Sequence, residues 1–162
     1  MNAIVAVDKN WGIGKDNDLL FSIPEDMKFF RQTTLNKIVV MGANTLRSFP
    51  NGNPLKNRIN IVLSTSIERD DCIVCKSLEQ LFEELKKYPS EDIFVIGGAM
   101  LYKTLLPYCK KVLVTKVNAD GNAQVFFENL DKKDNWICES EGQAIMTNGF
   151  EIKFTTYKNI AL

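Results

Sequence analysis

The chain contains no histidine. That absence removes Ser-His-Asp and Cys-His nucleophilic sites, H-E-x-x-H zinc helices and histidine-based phosphoryl chemistry together. Carboxylates, hydroxyls, lysines or a bound cofactor must carry any reaction. Cysteine is scarce: besides Cys72 and Cys75 there are Cys109 and Cys138, and the C-x-x-C has no second pair to complete a zinc site. Cys72 and Cys75 also fall in a strand-like run, where residues three apart face opposite sides, so reduced structural thiols and no metal are expected. Charge of either sign is not in excess, with Lys plus Arg 20 and Asp plus Glu 20. No general field draws in nucleic acid or an anionic membrane, and any attraction for an anion must be local. No apolar run approaches the roughly 20 residues of a membrane span. Nor is there a basic flank and apolar core of a signal peptide, so a cytoplasmic protein is expected. The G-x-G-x-x-G dinucleotide fingerprint is missing as well.

What is present is a chain of 162 residues, 45% of them hydrophobic, enough for one cored domain over 1–162. Ile4-Val5-Ala6-Val7 is apolar on successive residues, which fits a strand buried on both faces. Residues 8–18 supply turn chemistry. Ser22-Ile23-Pro24-Glu25 has the spacing of a capping box, with Pro24 tolerated in a first turn, so the helix is expected to begin at Asp26. Phe29 and Phe30 lie three and four residues further on, sharing a face with Asp26. The acid therefore has two readings: a carboxylate favoured by the helix dipole, or a poorly solvated one with chemical use.

Downstream, apolar runs at 37–42, 58–63, 72–75, 93–96 and 111–117 alternate with helical patterns at 43–48, 77–88 and 99–106. The alternation predicts an α/β sheet with parallel neighbours and helices on both faces. Residues 136–141 and 150–158 alternate in polarity about Thr147-Asn148-Gly149 and predict an antiparallel edge hairpin. Four features carry chemistry or a plainer structural role. Ser64-Thr65-Ser66 offers hydroxyls and free amides after a strand. Gly97-Gly98 is either a tight turn or a pyrophosphate cradle before a helix. Arg58, taken by itself, reads as a solvated side chain, and Thr115 as a β-former.

Ile4-Val5-Ala6-Val7, Asn10-Trp11-Gly12-Ile13-Gly14, Asp18-Leu19 and Ile23-Pro24-Glu25-Asp26 followed by Phe29-Phe30-Arg31 closely resemble the amino-terminal third of dihydrofolate reductases. The resemblance continues in Met41-Gly42, in Pro54-Leu55-Lys56-Asn57-Arg58, in Leu63-Ser64, in Ile96-Gly97-Gly98 with Tyr102, and in Phe126-Phe127. It implies a mixed, mostly parallel eight-stranded sheet flanked by four helices, in a monomer. It implies NADPH-dependent reduction of 7,8-dihydrofolate, with hydride to C6 and a proton to N5, and sensitivity to antifolate inhibitors. Asp26 is then the one essential acid, holding the pterin's amino and ring nitrogens. Thr115 bonds that carboxylate, and Phe21 is the aromatic wall. Ile4, Val5, Met27, Phe30, Phe49 and Leu55 contact the folate, and Arg58 grips the α-carboxylate of its glutamate tail. Ala6, Ile13 and Gly97 line the nicotinamide. Further cofactor contacts fall on Gly14, Leu19, Gly42, Ala43, Asn44 and Thr45, and on Leu63, Ser64, Thr65 and Lys76. The rest fall on Ile96, Gly98, Ala99, Met100, Leu101 and Tyr102, with a cis Gly97-Gly98 peptide.

Departures from the family pattern have consequences. Leu20-Phe21 stands for Pro-Trp, so the indole donor is lost. Residues 123–128 read Ala-Gln-Val-Phe-Phe-Glu where x-D-T-F-F-P is common, and the aspartate that couples loops is gone. Ala43, Thr65 and Met100 occupy positions that are usually basic, which predicts a narrower preference for NADPH over NADH. A riboflavin-pathway reductase of the same fold, or a binding module without turnover, are the rival readings, and Asp26 with Arg58 argues against the first of them.

Overall fold

The β-branched runs become a sheet. The computed structural model describes residues 1–16 and 18–162; Asn17, inside the predicted turn stretch, lies outside them. In chain order the elements are β1 (Asn2–Val7), β2 (Gly12–Lys15), β3 (Asp18–Leu19), α1 (Pro24–Thr34), β4 (Ile38–Gly42) and α2 (Ala43–Ser48). Next come β5 (Ile59–Leu63), β6 (Ile73–Cys75), α3 (Leu78–Leu85), β7 (Ile93–Gly97), α4 (Ala99–Leu105) and β8 (Lys111–Val117). The chain ends with β9 (Val125–Phe126), β10 (Trp136–Glu141), β11 (Ile145–Thr147) and β12 (Phe150–Asn159). The large sheet runs β10-β12-β8-β1-β7-β4-β5-β6, parallel from β8 to β6 and antiparallel where β12 joins β8 and β10. This is the mixed, mostly parallel sheet expected.

Both faces of β4 and β5 are covered. Ile38, Val40 and Ile61 join one apolar cluster with Leu81 and Leu85 of α3 and Leu101 and Leu105 of α4. Val39, Met41 and Val62 join another with Leu46 of α2. That is why these strands read as continuous apolar runs rather than alternating ones. The predicted amphipathic face of α3 is realised, with Leu81 and Leu85 buried and Leu78 and Phe82 packed beside them. Ser77 caps it by accepting from Gln80 N at 3.1 Å.

Three expectations need correction. The capping box at Ser22 does not form: α1 begins at Pro24, its N-cap is Ile23, and no side chain caps it. A residue before proline is steered to extended backbone, and Ile23 sits at φ −119°, ψ 111°. Asp26 is therefore in the first turn rather than at its start. Secondly, residues 12–19 are more than a turn: β2 pairs antiparallel with β3 and with β9, making a small second sheet. Thirdly, the Asn148-Gly149 turn closes β11 onto β12, while β10 pairs further along β12. The predicted pairing of 136–141 with 150–158 holds, with an extra short strand between. Among the described residues, all four cysteines are free and no group of acidic or thiol side chains could hold a metal ion. Among the described residues, no helix is long and apolar enough to cross a membrane.

Candidate active site

A split between two neighbouring strands makes the site. β1 pairs with β8 along its whole length, to Val7↔Lys116, but with β7 only at Asn2↔Phe94 and Ala3↔Val95. Beyond Ala3 the strands diverge towards their carboxyl ends, where open parallel sheets bind ligands. The backbone polar groups exposed by the split need partners. Tyr102 supplies one, its hydroxyl donating to Ile4 O at 2.7 Å from a fully buried position on α4. Ile4 and Val5 are buried on the β1 side, Ala6 is half-buried and registers with Thr115 of β8, and Ile96 and Gly97 form the opposite lip.

Asp26 reaches this split from the first turn of α1. Burial pushes its carboxyl above the ordinary value, and the Thr115 hydroxyl opposes part of that rise as a hydrogen-bond donor. Thr115 itself is buried, 2% exposed. The field of Asp26 extends to Tyr102, helping to hold that phenol protonated behind the dominant effect of burial. Two readings of Asp26 were open on sequence; a desolvated acid facing a cleft is the one that marks functional sites. Beside it, Phe29 turns onto Phe154 with ring centroids 4.6 Å apart, while Met27 and Phe30 stay partly exposed one turn apart. Phe49 and Leu55 pack together under α2 with Ala43 and Ile96. Phe21 is held by Phe150, 5.0 Å between centroids, in the cluster with Ile23, Val117 and Ile152.

Arg58 is fixed by its own chain. Nε donates to Thr34 Oγ1 at 3.2 Å, and the terminal nitrogens donate to Lys56 O at 2.7 Å and Arg31 O at 2.9 Å. These bonds use three of its five N–H groups. Partial burial and then the charge of Arg31 lower its pKa, so the pair forms a local cationic spot that an anion would relieve. Arg31 directly follows Phe30 in the amino-terminal motif, and only the fold brings it to Arg58.

Two helices begin beside the split. α2 follows β4 at Gly42 and α4 follows β7 at Gly98, and neither N-terminus has a side-chain cap. Their strands are neighbours, so two sets of unsatisfied N–H groups open on one side. Gly97-Gly98 is cis, as expected, and Gly97 has φ 137°, a conformation L side chains avoid. A Cβ there would also come within 3.0 Å of Thr45 Oγ1. The bare backbone leaves a cradle for a phosphate group.

The hydroxyls and amides of residues 64–66 are less free than expected. Ser64 N donates to Cys75 O at 3.0 Å, and Ser64 Oγ accepts from Ser66 N at 3.2 Å and Ile67 N at 3.3 Å. The serine spends the local amides on its own turn, a common competition for hydroxyl residues. Lys76 is likewise committed, donating to Ile67 O at 2.6 Å and lying 3.5 Å from Glu68. Arg47 is bonded to Asn44. Leu19 and Met100 stand at the rim, 78% and 86% exposed.

Residues 1–159 match the family model described as dihydrofolate reductase. The chain is 33% identical over 159 residues to the dihydrofolate reductase of Bacillus subtilis, covering 96% of this chain and 92% of that one. It is 30% identical over 164 residues to that of Staphylococcus haemolyticus, covering 99% and 96%. With the Haemophilus influenzae enzyme the figure is 36% over 134 residues, 82% of this chain and 79% of the other. The chain belongs to the dihydrofolate reductase family.

For a dihydrofolate reductase the loop coupling is unusual. Where the family aspartate is missing, Gln124 replaces it: its Oε1 accepts from Asp16 N at 3.0 Å and its backbone N donates to Gly14 O at 2.8 Å. Asp8 is a residue the sequence reading passed over. It is buried, and its carboxylate accepts from Asn10 N, Gly12 N and Gly121 N. Asp followed two residues later by Asn is an Asx-turn signal, but the bond to Gly121 is visible only in three dimensions.

Proposed function

We propose that this protein is an NADPH-dependent reductase converting 7,8-dihydrofolate to 5,6,7,8-tetrahydrofolate, and that Asp26 is its essential acid. The observation that carries the reading is Asp26 itself: a half-buried carboxyl with a raised pKa at the mouth of the β1–β7 split, faced by Thr115. A pterin ring offers an amino group and a ring nitrogen side by side, and a carboxylate is the bidentate partner for that edge. Ile4, Val5, Met27, Phe30, Phe49 and Leu55 supply the apolar slot, and Arg58 the grip on the glutamate tail.

The residues present fit a dinucleotide phosphate. The glycine-begun helices α2 and α4, with room at Gly97-Gly98 that a Cβ would fill, suit the pyrophosphate. Ala6, Ile13, Gly14 and Gly97 suit the nicotinamide end, and Asn44, Thr45, Ser64 and Thr65 the adenosine end. When bound, NADPH supplies the hydride. The chain's own work is to hold the pterin edge with Asp26, keep C6 over the split, and exclude water with Phe21 and the loop carrying Ile13. The charge on Asp26 favours the cationic character that develops as N5 gains its proton.

The site is complete within one chain, which supports a monomer, and its free thiols suit a cytoplasmic setting. Loss of NADPH absorbance on adding dihydrofolate, with tetrahydrofolate recovered, is the test. Binding of both ligands without turnover would leave only a binding module, and turnover of a ribosyl-pyrimidine instead would give the sister reductase.

A further inference from the structure

Asn60 is the polar exception on β5. Ile61 and Val62 beside it are fully buried, its register partner Val39 lies in the apolar cluster with Leu46 of α2, and Asn60 itself is only 7% exposed. A buried amide costs stability unless its polar atoms are matched. Here both ends of the amide are. Oδ1 accepts from Leu55 N at 3.0 Å, and Nδ2 donates to Leu55 O at 2.9 Å and to Arg58 O at 3.2 Å.

Those partners are the two ends of one short loop. Among the described residues Leu55 has no backbone partner for its N–H or C=O, so the Asn60 amide stands in for a neighbouring strand. The middle of the loop is tied elsewhere: Asn57, at φ 60°, accepts from Asn36 N at 2.8 Å just beyond α1. The Leu55 side chain packs with Phe49 and Ala43, while the Arg58 guanidinium turns to Thr34 and Arg31 of α1. One side chain, two residues beyond Arg58, therefore fixes an apolar wall and a cation relative to each other. The strand itself does not need an amide there, because an apolar side chain at position 60 would meet the same cluster.

We propose that Asn60 is a positioning residue for the folate tail: its carboxamide sets the separation between Leu55 and Arg58, so that linker and glutamate are held together. This rests on the reading of Leu55 and Arg58 as folate contacts. Without the amide, the polar groups of Leu55 must find water. The loop then swings outward, Leu55 leaves the wall, and the backbone of Arg58 loses a tie.

Asn60→Leu removes the three bonds, keeps about the same shape and adds no charge. The measure is the ratio of affinities for folate and for pteroate, which lacks the glutamate, titrated against the whole protein. That ratio falls roughly three- to tenfold, while NADPH binds as before. KM for dihydrofolate rises, and kcat at saturation changes by less than about twofold. An unchanged ratio overturns the proposal, whatever the melting temperature does. In an Arg58→Lys background the same change acts on a grip already lost, so the ratio moves by less than about twofold; a fall as large as in the wild-type background overturns the proposal too. Where Asn60→Leu does not fold, replacing Leu55 by its α-hydroxy analogue removes the N–H that Oδ1 accepts, and an unchanged ratio there refutes the role of Asn60. Arg58→Lys by itself separates the two readings. If it leaves the ratio unchanged, the tail assignment fails; if it lowers the ratio and Asn60→Leu does not, only the role of Asn60 fails.

Discussion

Replacing Arg58 by lysine keeps the charge and removes the fork. In the structure the guanidinium is fixed by Thr34 Oγ1, Lys56 O and Arg31 O, which leaves one N–H on each terminal nitrogen outside these bonds. An ammonium can satisfy some of these acceptors or face a ligand, but it cannot do both in one plane. A charged hydrogen bond is worth about 1.5–3 kcal/mol. Arg58 is only half-buried, so solvent screening places the loss at the lower end, about 1.5–2 kcal/mol. That is roughly ten- to thirtyfold in affinity. The assay is titration of wild type and Arg58→Lys with folate, with pteroate, which lacks the glutamate, and with NADPH. Folate binding weakens by that factor, while pteroate and NADPH bind as before. Equal weakening of folate and pteroate would show that Arg58 only braces α1 against the 54–60 segment, and the tail assignment would be wrong.

Asp26→Asn sharply reduces turnover at neutral pH without unfolding the protein. Its folded pKa is raised, so the charged form costs stability above that pKa, and the cost vanishes below the unfolded value. The Asn variant is therefore at least as stable as wild type at pH 7 and loses that advantage as pH falls, which urea titrations at pH 7 and pH 4 measure. Because Asp26 acts in its charged form, wild-type activity falls as pH drops below the Asp26 pKa; Thr115→Val removes a group that favours the charged form, so this acidic limb moves to higher pH in rate profiles. With Lys76 and Arg47 committed elsewhere, the kcat/KM ratio for NADPH over NADH lies below about a thousandfold, equivalent to about 4 kcal/mol. Ala43→Arg widens it roughly tenfold to a hundredfold; no gain in that variant would place the 2′-phosphate elsewhere.

Local chemistry was enough to place the strands that are buried on both faces. Runs such as Ile38–Gly42 and Ile93–Gly97 have the same composition wherever they sit, and burial on two faces demands apolar residues at successive positions. The family motifs, being short and contiguous, were likewise visible in the chain, and so was the amphipathic stripe of α3. The capping box failed because two local signals competed at Ser22 and Pro24, and the steric demand of proline on Ile23 outweighed a single hydrogen bond. The strands β3 and β9 have two residues each, too short for any periodicity, and exist only because β2 lies between them. What tertiary structure alone decided are the relations between distant segments: the split of β1 from β7 and the bond from Asp8 to Gly121. A side chain's residue type limits which partners it can take; which of them it meets depends on the packing of segments more than a hundred residues apart.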